Sequence, residues 1–379
     1  MRILPIASGK GGVGKSLTAA NLAVAFAQAG RRTVLVDLDL GASNLHLVIG
    51  HRAPEAGIGT FLSDFRQDFS KVVTGTDIPN LRFIPGDTEI PGLANLKAAQ
   101  LKALVRRLLG LDADVLVLDL GAGTHQSILD FFLLSGQGIV VTAPTVTAVL
   151  NAYVFLKNTV FRLMYMAFTK GTRAHDFLET LRKGGSGLQK LYIPRIIPEI
   201  KRIDPPSYEK FKNHLDRLHP RLITNMIEDP RDADVAMKIR RSCEEYLGLR
   251  IEHLGIMYRD SIQDTALASR LPVVLYKPQS ILAQAVYRIA DKILQSPEDS
   301  FGFNDRDIED SFQEANMEAE IDFENKMEYV EELLHSGTLT QGDLIETVKS
   351  QQFEISKLKK ENNFLKLKLS AALSQGFKI

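Results

Sequence analysis

The segment SGKGGVGKS (8–16) lies between an apolar run, RILPIA (2–7), and a stretch with helical spacing, SLTAANLAVAFAQAG (16–30), closed by Gly30. Gly9, Gly14, Lys15 and Ser16 complete the spacing G-x-x-x-x-G-K-[ST]. Few chain geometries accommodate a strand, a glycine turn and a helix in that order. The arrangement aims the backbone N–H groups of the turn and the positive end of the helix at one point. That point suits phosphate oxygens, with Lys15 bridging the outer two phosphates and Ser16 offering its hydroxyl to Mg²⁺. The pattern leaves Lys10, five positions before Lys15, without a role.

The rest of the chain repeats the strand–helix alternation. RTVLVDLDL (32–40), LRFIPG (81–86), DVLVLDLGAG (114–123), GIVVTAP (138–144), RLITNMI (221–227) and RIEHLGIM (250–257) read as strands. Helical spacing fills 95–109, 147–166, 232–247 and 280–295. Near-continuous Val/Ile/Leu strands alternating with helices predict an α/β fold, a mostly parallel sheet with helices on both faces. Ligands of such sheets sit at the carboxyl ends of the strands. The glycine loop, Asp37, Asp39 and Asp119 all fall there.

Composition narrows the function classes. The single cysteine, Cys243, excludes an intrachain disulfide and any cluster held by several cysteines of one chain. No apolar run approaches the ~18 residues of a membrane span, and the N-terminus does not read as a cleavable signal. A cytoplasmic protein is expected. Net charge is zero, but residues 298–332 hold fourteen Asp and Glu against Arg306 and Lys326. The expected organisation is a body over 1–296, an acidic linker over 297–326 that grades into helix, and a helical tail over 327–379. Residues 167–220, rich in proline and basic residues, interrupt the alternation and are expected to be a partly helical insertion over the sheet. In the tail, Leu344, Val348, Gln351, Ile355, Leu358, Asn362, Leu365 and Leu369 alternate in steps of four and three. This is a coiled-coil seam, with Asn362 placed where a buried amide fixes register. Lysines beside Phe364, Leu365, Leu367 and Leu369 also fit a helix lying on a membrane surface.

The loop GKGGVGKS, with its early lysine, resembles the deviant phosphate loop of the ParA/MinD ATPases. The resemblance extends through VDLDLGASNLHLVIG (36–50) and LVLDLGAG (116–123). It implies a P-loop fold, ATP and Mg²⁺ as ligands, and a homodimer formed with ATP. In that dimer Lys10 would reach the partner's bound phosphates, beside Lys15 and Asp39 as the other catalytic groups. It implies a cradle of Gly9, Lys10, Gly11, Gly12, Val13, Gly14, Lys15, Ser16, Leu17 and Gly123. Mg²⁺ would lie near Ser16, Asp39 and Asp119, some of these acting through water, with Asp37 orienting the metal's water shell. Asn225 falls where the family reads adenine, and Asp260 near the family's adenine loop, although Tyr258 stands in place of a proline.

Within the family, DLGAGT (119–124), TAVLNAYVFLK (147–157) and LPVVLYKPQSILAQAVYRIADKI (271–293) look most like the FlhG (FleN, YlxH) flagellar branch. That branch implies a protein partner in a flagellar or polar apparatus, and peripheral attachment at the inner face of the membrane through the tail. The chain starts at its first strand, so the N-terminal segment with which FlhG proteins stimulate FlhF is not expected. His46 and Leu17 also depart from the usual pattern. One competing reading is a ParA-like partitioning ATPase, whose basic body would bind DNA through counterion release. Another is a coiled-coil scaffold with vestigial hydrolysis. Nitrogenase-type and Mrp-type relatives are excluded by the lone cysteine, and tyrosine kinases by a tail without tyrosines beyond Tyr329.

A heptad seam associates whether or not nucleotide is bound. Removal of the chain from Met327 onward is therefore expected to convert a constitutive oligomer into one that forms only with ATP, read by size-exclusion chromatography with and without nucleotide.

Overall fold

The computed structural model describes residues 1–39, 43–52, 56–63, 68–86, 98–183, 192–297 and 305–335, with 342, 345, 349 and 352 as isolated positions beyond. Its strands are β1 (Arg2–Ala7), β2 (Thr33–Leu38), β3 (Thr74–Gly75), β4 (Leu81–Ile84), β5 (Val115–Leu120), β6 (Ile139–Thr142), β7 (Arg221–Ile227) and β8 (Glu252–Tyr258). They form one eight-stranded sheet in the order β3-β4-β2-β5-β1-β6-β7-β8, parallel except for the β3–β4 pair. Six residues of β2 and six of β5 are buried along their whole length, as expected for strands covered on both faces. The two-residue β3 was not visible in the sequence, since nothing so short carries a period.

The helices are α1 (Lys15–Gln28), α2 (Leu45–Val48), α3 (Ile58–Ser63), α4 (Ala98–Leu109), α5 (Gln126–Phe132), α6 (Val146–Ala167) and α7 (Arg173–Lys183). They continue with α8 (Ile193–Ile203), α9 (Pro205–Leu215), α10 (Asp234–Leu247), α11 (Ile262–Ala268), α12 (Val273–Tyr276), α13 (Ile281–Gln295) and α14 (Asp305–His335). One face of the sheet packs under α1, α12 and α13, with Leu22, Phe26, Val274 and Ile289 in its core. The other packs under α4, α5, α6 and α10, around Leu104, Phe132, Phe155 and Ile239.

Within the 167–220 region, α7–α9 stack on one another, and α9 and α8 pack against α6 and α10. They form an outer layer over those helices, whereas the sequence led us to expect a cover over the sheet itself. Ile193, Ile196 and Ile200 make the buried stripe of α8, and Phe168 meets Phe211 with ring centroids 5.8 Å apart. Pro194 and Pro205 sit in the first turns of α8 and α9, where a missing N–H costs nothing, while Pro198 lies inside α8.

By contact the chain divides into two units, Met1–Asp322 and Phe323–Ile379. The segment expected as an acidic linker is helical from Asp305, and its first turns belong to the first unit. Ile308, Phe312, Ala315 and Ala319, spaced to share one helix face, are buried there. The heptad positions from Leu344 lie outside the described residues. No helix among those described is long and apolar enough to cross a membrane.

His253 on β8 is buried beneath α14, its ring 5.1 Å from that of Phe312, with Nε2 3.1 Å from the Thr224 hydroxyl. Burial, and the nearby Lys292, hold its pKa down to about 3. A depressed folded pKa gives stability that is whole above about pH 6.5 and is lost as the pH falls towards 3. Asp37 acts in the opposite sense, because burial and the neighbouring Asp119 raise it to about 6, a penalty relieved by acid. Comparing His253→Phe with the wild type isolates the first effect. The variant should lose less stability between pH 7 and pH 4.5, by roughly 1–3 kcal/mol, in urea titrations at the two pH values.

Candidate functional site

The β1 strand ends at Ala7, and the glycine loop carries the chain into α1, whose first turn has no side-chain cap. Its amide donors are therefore offered to the space above the loop. Gly14 takes φ +83°, and a Cβ there would stand 2.2 Å from Asn225 Nδ2. At Gly9 a Cβ would stand 2.0 Å from the backbone oxygen of Asn151 on α6. The loop is thus wedged between α6 on one side and the end of β7 on the other, and both approaches require glycine.

The Lys15 ammonium lies 2.5 Å from Asp119 Oδ1 and 3.3 Å from Ser16 Oγ, with Lys15 and Asp119 both buried. Asp119 is paired in register with Asp37 across β5 and β2, and with Ile6 across β5 and β1. Burial raises the Asp119 carboxyl above its ordinary range, against the pull of Lys15 and Ser16. Asp37 accepts hydrogen bonds from the Asp39 amide at 3.0 Å, the Ser43 hydroxyl at 2.6 Å and the Leu45 amide at 3.3 Å. Those bonds tie Asp39, Ser43 and Leu45 to the end of β2, and the Asp39 carboxylate lies beside Gly121, whose Cβ position is 3.3 Å from Asp39 Oδ1. Gly123 closes the group by donating its amide to Ser8 O at 3.4 Å.

Lys10 is elsewhere. Its ammonium is exposed and donates to Thr147 Oγ1 at 2.8 Å, at the start of α6. It lines a cavity of about 370 Å³ with Gly11, Val13, Thr145, Glu228 and Arg259. A second cavity, of about 310 Å³, opens on the other side of the loop between Gly12, Leu17, Asn21, Asn225, Met257 and Asp260. Asn225 sits where the β7–β8 register shifts, beside Met226 at φ +60°, and donates its Nδ2 to Val13 O at 2.9 Å. The bulge turns Asn225 towards the loop. Asp260 reaches the same cavity, but its Oδ1 accepts from the Ile262 amide at 3.0 Å and so also shapes the turn into α11.

The structure therefore brings together Lys15, Ser16, Asp37, Asp39, Asp119 and Gly123, and separately Leu17, Asn225 and Asp260, with Lys10 turned outward. Ser43, Thr147 and Asn151 were missed by sequence reasoning. Each acts through a contact with a distant residue or a nearby turn, and no spacing rule marks it. Among the described residues no group of three or more His, Cys, Asp and Glu is assembled to hold a metal ion. The donors present are hard oxygens, a hydroxyl and carboxylates. They suit Mg²⁺, which is commonly held by one or two protein oxygens together with substrate phosphates and water.

A mostly parallel sheet with an uncapped helix behind a glycine loop, with Lys and Ser at the start of that helix and Asp at adjoining strand ends, defines a P-loop nucleotide-binding protein. The model of the CobQ/CobB/MinD/ParA nucleotide binding domain matches residues 4–367, and the chain belongs to that family. The septum site-determining protein MinD of Buchnera aphidicola is 33% identical over 159 residues, 39% of this chain and 55% of that one. The antiactivator FleN of Pseudomonas aeruginosa is 27% identical over 159 residues, 41% of this chain and 56% of that one. The chain thus spans about half the length of the curated relatives it matches. In fold it is similar to the cell division ATPase MinD of Pyrococcus furiosus, with a TM-score of 0.53 at 20% identity, covering 78% of this chain and 98% of that one. It is also similar to MinD of Pyrococcus horikoshii, solved with Mg-ADP, with a TM-score of 0.52 at 21% identity, covering 78% and 96%.

The two sides of the loop differ in tolerance. Gly9→Ala must push the α6 backbone away and is expected to cost about 1–3 kcal/mol, the usual scale of overpacking. Gly11→Ala meets nothing within 4 Å and should leave the urea midpoint nearly unchanged. Chemical denaturation of both variants checks the pair.

Proposed function

We propose that the chain is an ATP-driven switch of the MinD/ParA kind, which binds ATP with Mg²⁺, dimerises in that state and hydrolyses the nucleotide. The observation that carries the reading is the division of labour between the two lysines. Lys15 is buried inside the loop against Asp119, while Lys10 points out of its own loop towards Thr147. A cation already committed inside serves the chain's own nucleotide, and an exposed one on the outer side of the loop is placed to serve a second copy's.

In this reading the loop amides and Lys15 hold the β- and γ-phosphates, and Asn225 and Asp260 face the adenine. Mg²⁺ would be held by Ser16, Asp39 and Asp119, with Asp37 on its water shell, and would neutralise charge on the transferred phosphoryl group. Asp39 orients the attacking water, and Lys10 from the other protomer stabilises charge that develops on the γ-phosphate. Hydrolysis is thereby conditional on association. The assembly under control is a protein complex at a cell pole or flagellar base, a setting supported by the likeness to FleN.

Lys15→Ala should abolish ATP binding, whereas Lys10→Ala should keep binding within severalfold and lose ATP-dependent dimerisation and turnover. Calorimetric titration and a phosphate-release assay on both variants check this. Equal loss of binding in the two would refute the trans role of Lys10.

A further inference from the structure

The wall of the 310 Å³ cavity opposite the glycine loop is the end of β8 and the residues that follow it, Met257, Tyr258, Arg259 and Asp260. The sheet holds this end from one side, where Tyr258 pairs with Ile227 and the Arg259 amide donates to Ile227 O at 2.9 Å. Among the described residues β8 is the last strand in the order and has one neighbouring strand, and its pairing with β7 shifts register between Thr224 and Ile227. A strand end with one irregular neighbour needs a second support if it is to hold a wall in place.

That support comes from α14. The Tyr258 hydroxyl, buried, donates to the backbone oxygen of Ala319 at 2.7 Å. The turn of α14 that carries Ala319 is itself fixed to α13, by Glu318 to Lys292 at 2.9 Å and by Asp322 to Arg288. Nearer its start, Ser311 Oγ accepts the His253 amide at 3.1 Å, Phe312 packs on the His253 ring, and Glu309 pairs with Arg240 at 2.6 Å. The helix is therefore pinned along the strand by groups on β8, α10 and α13, and Tyr258 is the contact nearest the cavity. Arg259 and Asp260 follow it directly in the chain, at successive Cα spacings of about 3.8 Å, and line the same cavity, so the placement of Tyr258 bears on theirs.

We infer that Tyr258 is a positioning residue for the base-side wall of the nucleotide cavity, and that α14 holds it there, so that docking of this helix sets how tightly the base of a nucleoside triphosphate is held. The inference rests on the proposed nucleotide reading of the site. It places a control point on α14, outside the residues of the phosphate loop. By reciprocity, a bound base tightens the docking of α14 as much as docking tightens the base. A factor that lifted α14 would weaken the grip on the base while leaving the phosphate loop intact.

The test uses the full-length protein and two titrants, ATP with Mg²⁺ and inorganic tripolyphosphate with Mg²⁺, measured by calorimetry. Tripolyphosphate reaches the loop and has no base. Tyr258→Phe keeps the ring and removes the hydroxyl, and should weaken ATP about fivefold, the scale of one hydrogen bond, while tripolyphosphate changes by less than about twofold. Phe312→Ala, remote from the cavity and on the buried face of α14, should give the same split, and carries the test if Tyr258→Phe does not fold. Unchanged ATP affinity, or equal weakening of both titrants, overturns the inference. A wild-type protein that binds tripolyphosphate as tightly as ATP would refute the base-side reading of the cavity, and one that binds neither would refute the nucleotide reading itself.

Discussion

The ion pair between Lys15 and Asp119 joins the start of α1 to the end of β5, and the surrounding elements are arranged so that it can form. Two charges taken from water to 7% and 1% exposure are costly unless they meet, and removing one partner from such a pair typically costs ~3–5 kcal/mol. Their meeting depends on β5 lying next to β1, so that Asp119 comes level with Ile6 just before the loop. It also depends on β2 lying on the other side of β5, where Asp37 spends its oxygens on Asp39, Ser43 and Leu45. The strand order and the electrostatics of the loop are thus one constraint seen from two sides.

Much of this was legible in the sequence, because the elements that build the site carry strong local signals. Glycines at fixed offsets, apolar runs ending in Asp, and the 3.6 period of 16–30 and 280–295 each act within a few residues. The sheet, its parallel sense and the convergence of Lys15, Asp119 and Asp39 followed from them. The partners of Gly9 and Lys10 did not, since Asn151 and Thr147 belong to α6 and meet the loop only after folding. Asn225 was placed by resemblance alone. What aims it is a register shift between β7 and β8, and no residue type announces such a shift.

Charge misled the reading of the C-terminal segment. A run of Asp and Glu reads as solvated connector, yet Ile308, Phe312, Ala315 and Ala319 lie on one face within it. Its acids meet cations at Arg240, Arg288 and Lys292, which come from helices earlier in the chain. The same holds for α7–α9, where prolines in the first turns of α8 and α9, and Pro198 inside α8, concealed an amphipathic pattern. In both places the local rule was sound and tertiary packing decided the outcome.

The position of α14 also bears on how the sheet avoids pairing with other chains. The backbone groups on the outer side of β8 would be a ready template for another chain's strand, a hazard that open sheets must cover or interrupt. Here a helix takes that place, with the Ser311 hydroxyl accepting the His253 amide on the edge itself. The acidic helix therefore guards the margin of the sheet as well as bracing it. Cuts made before Ile308 would lay that margin bare, and self-association of such a fragment would reflect strands pairing across molecules.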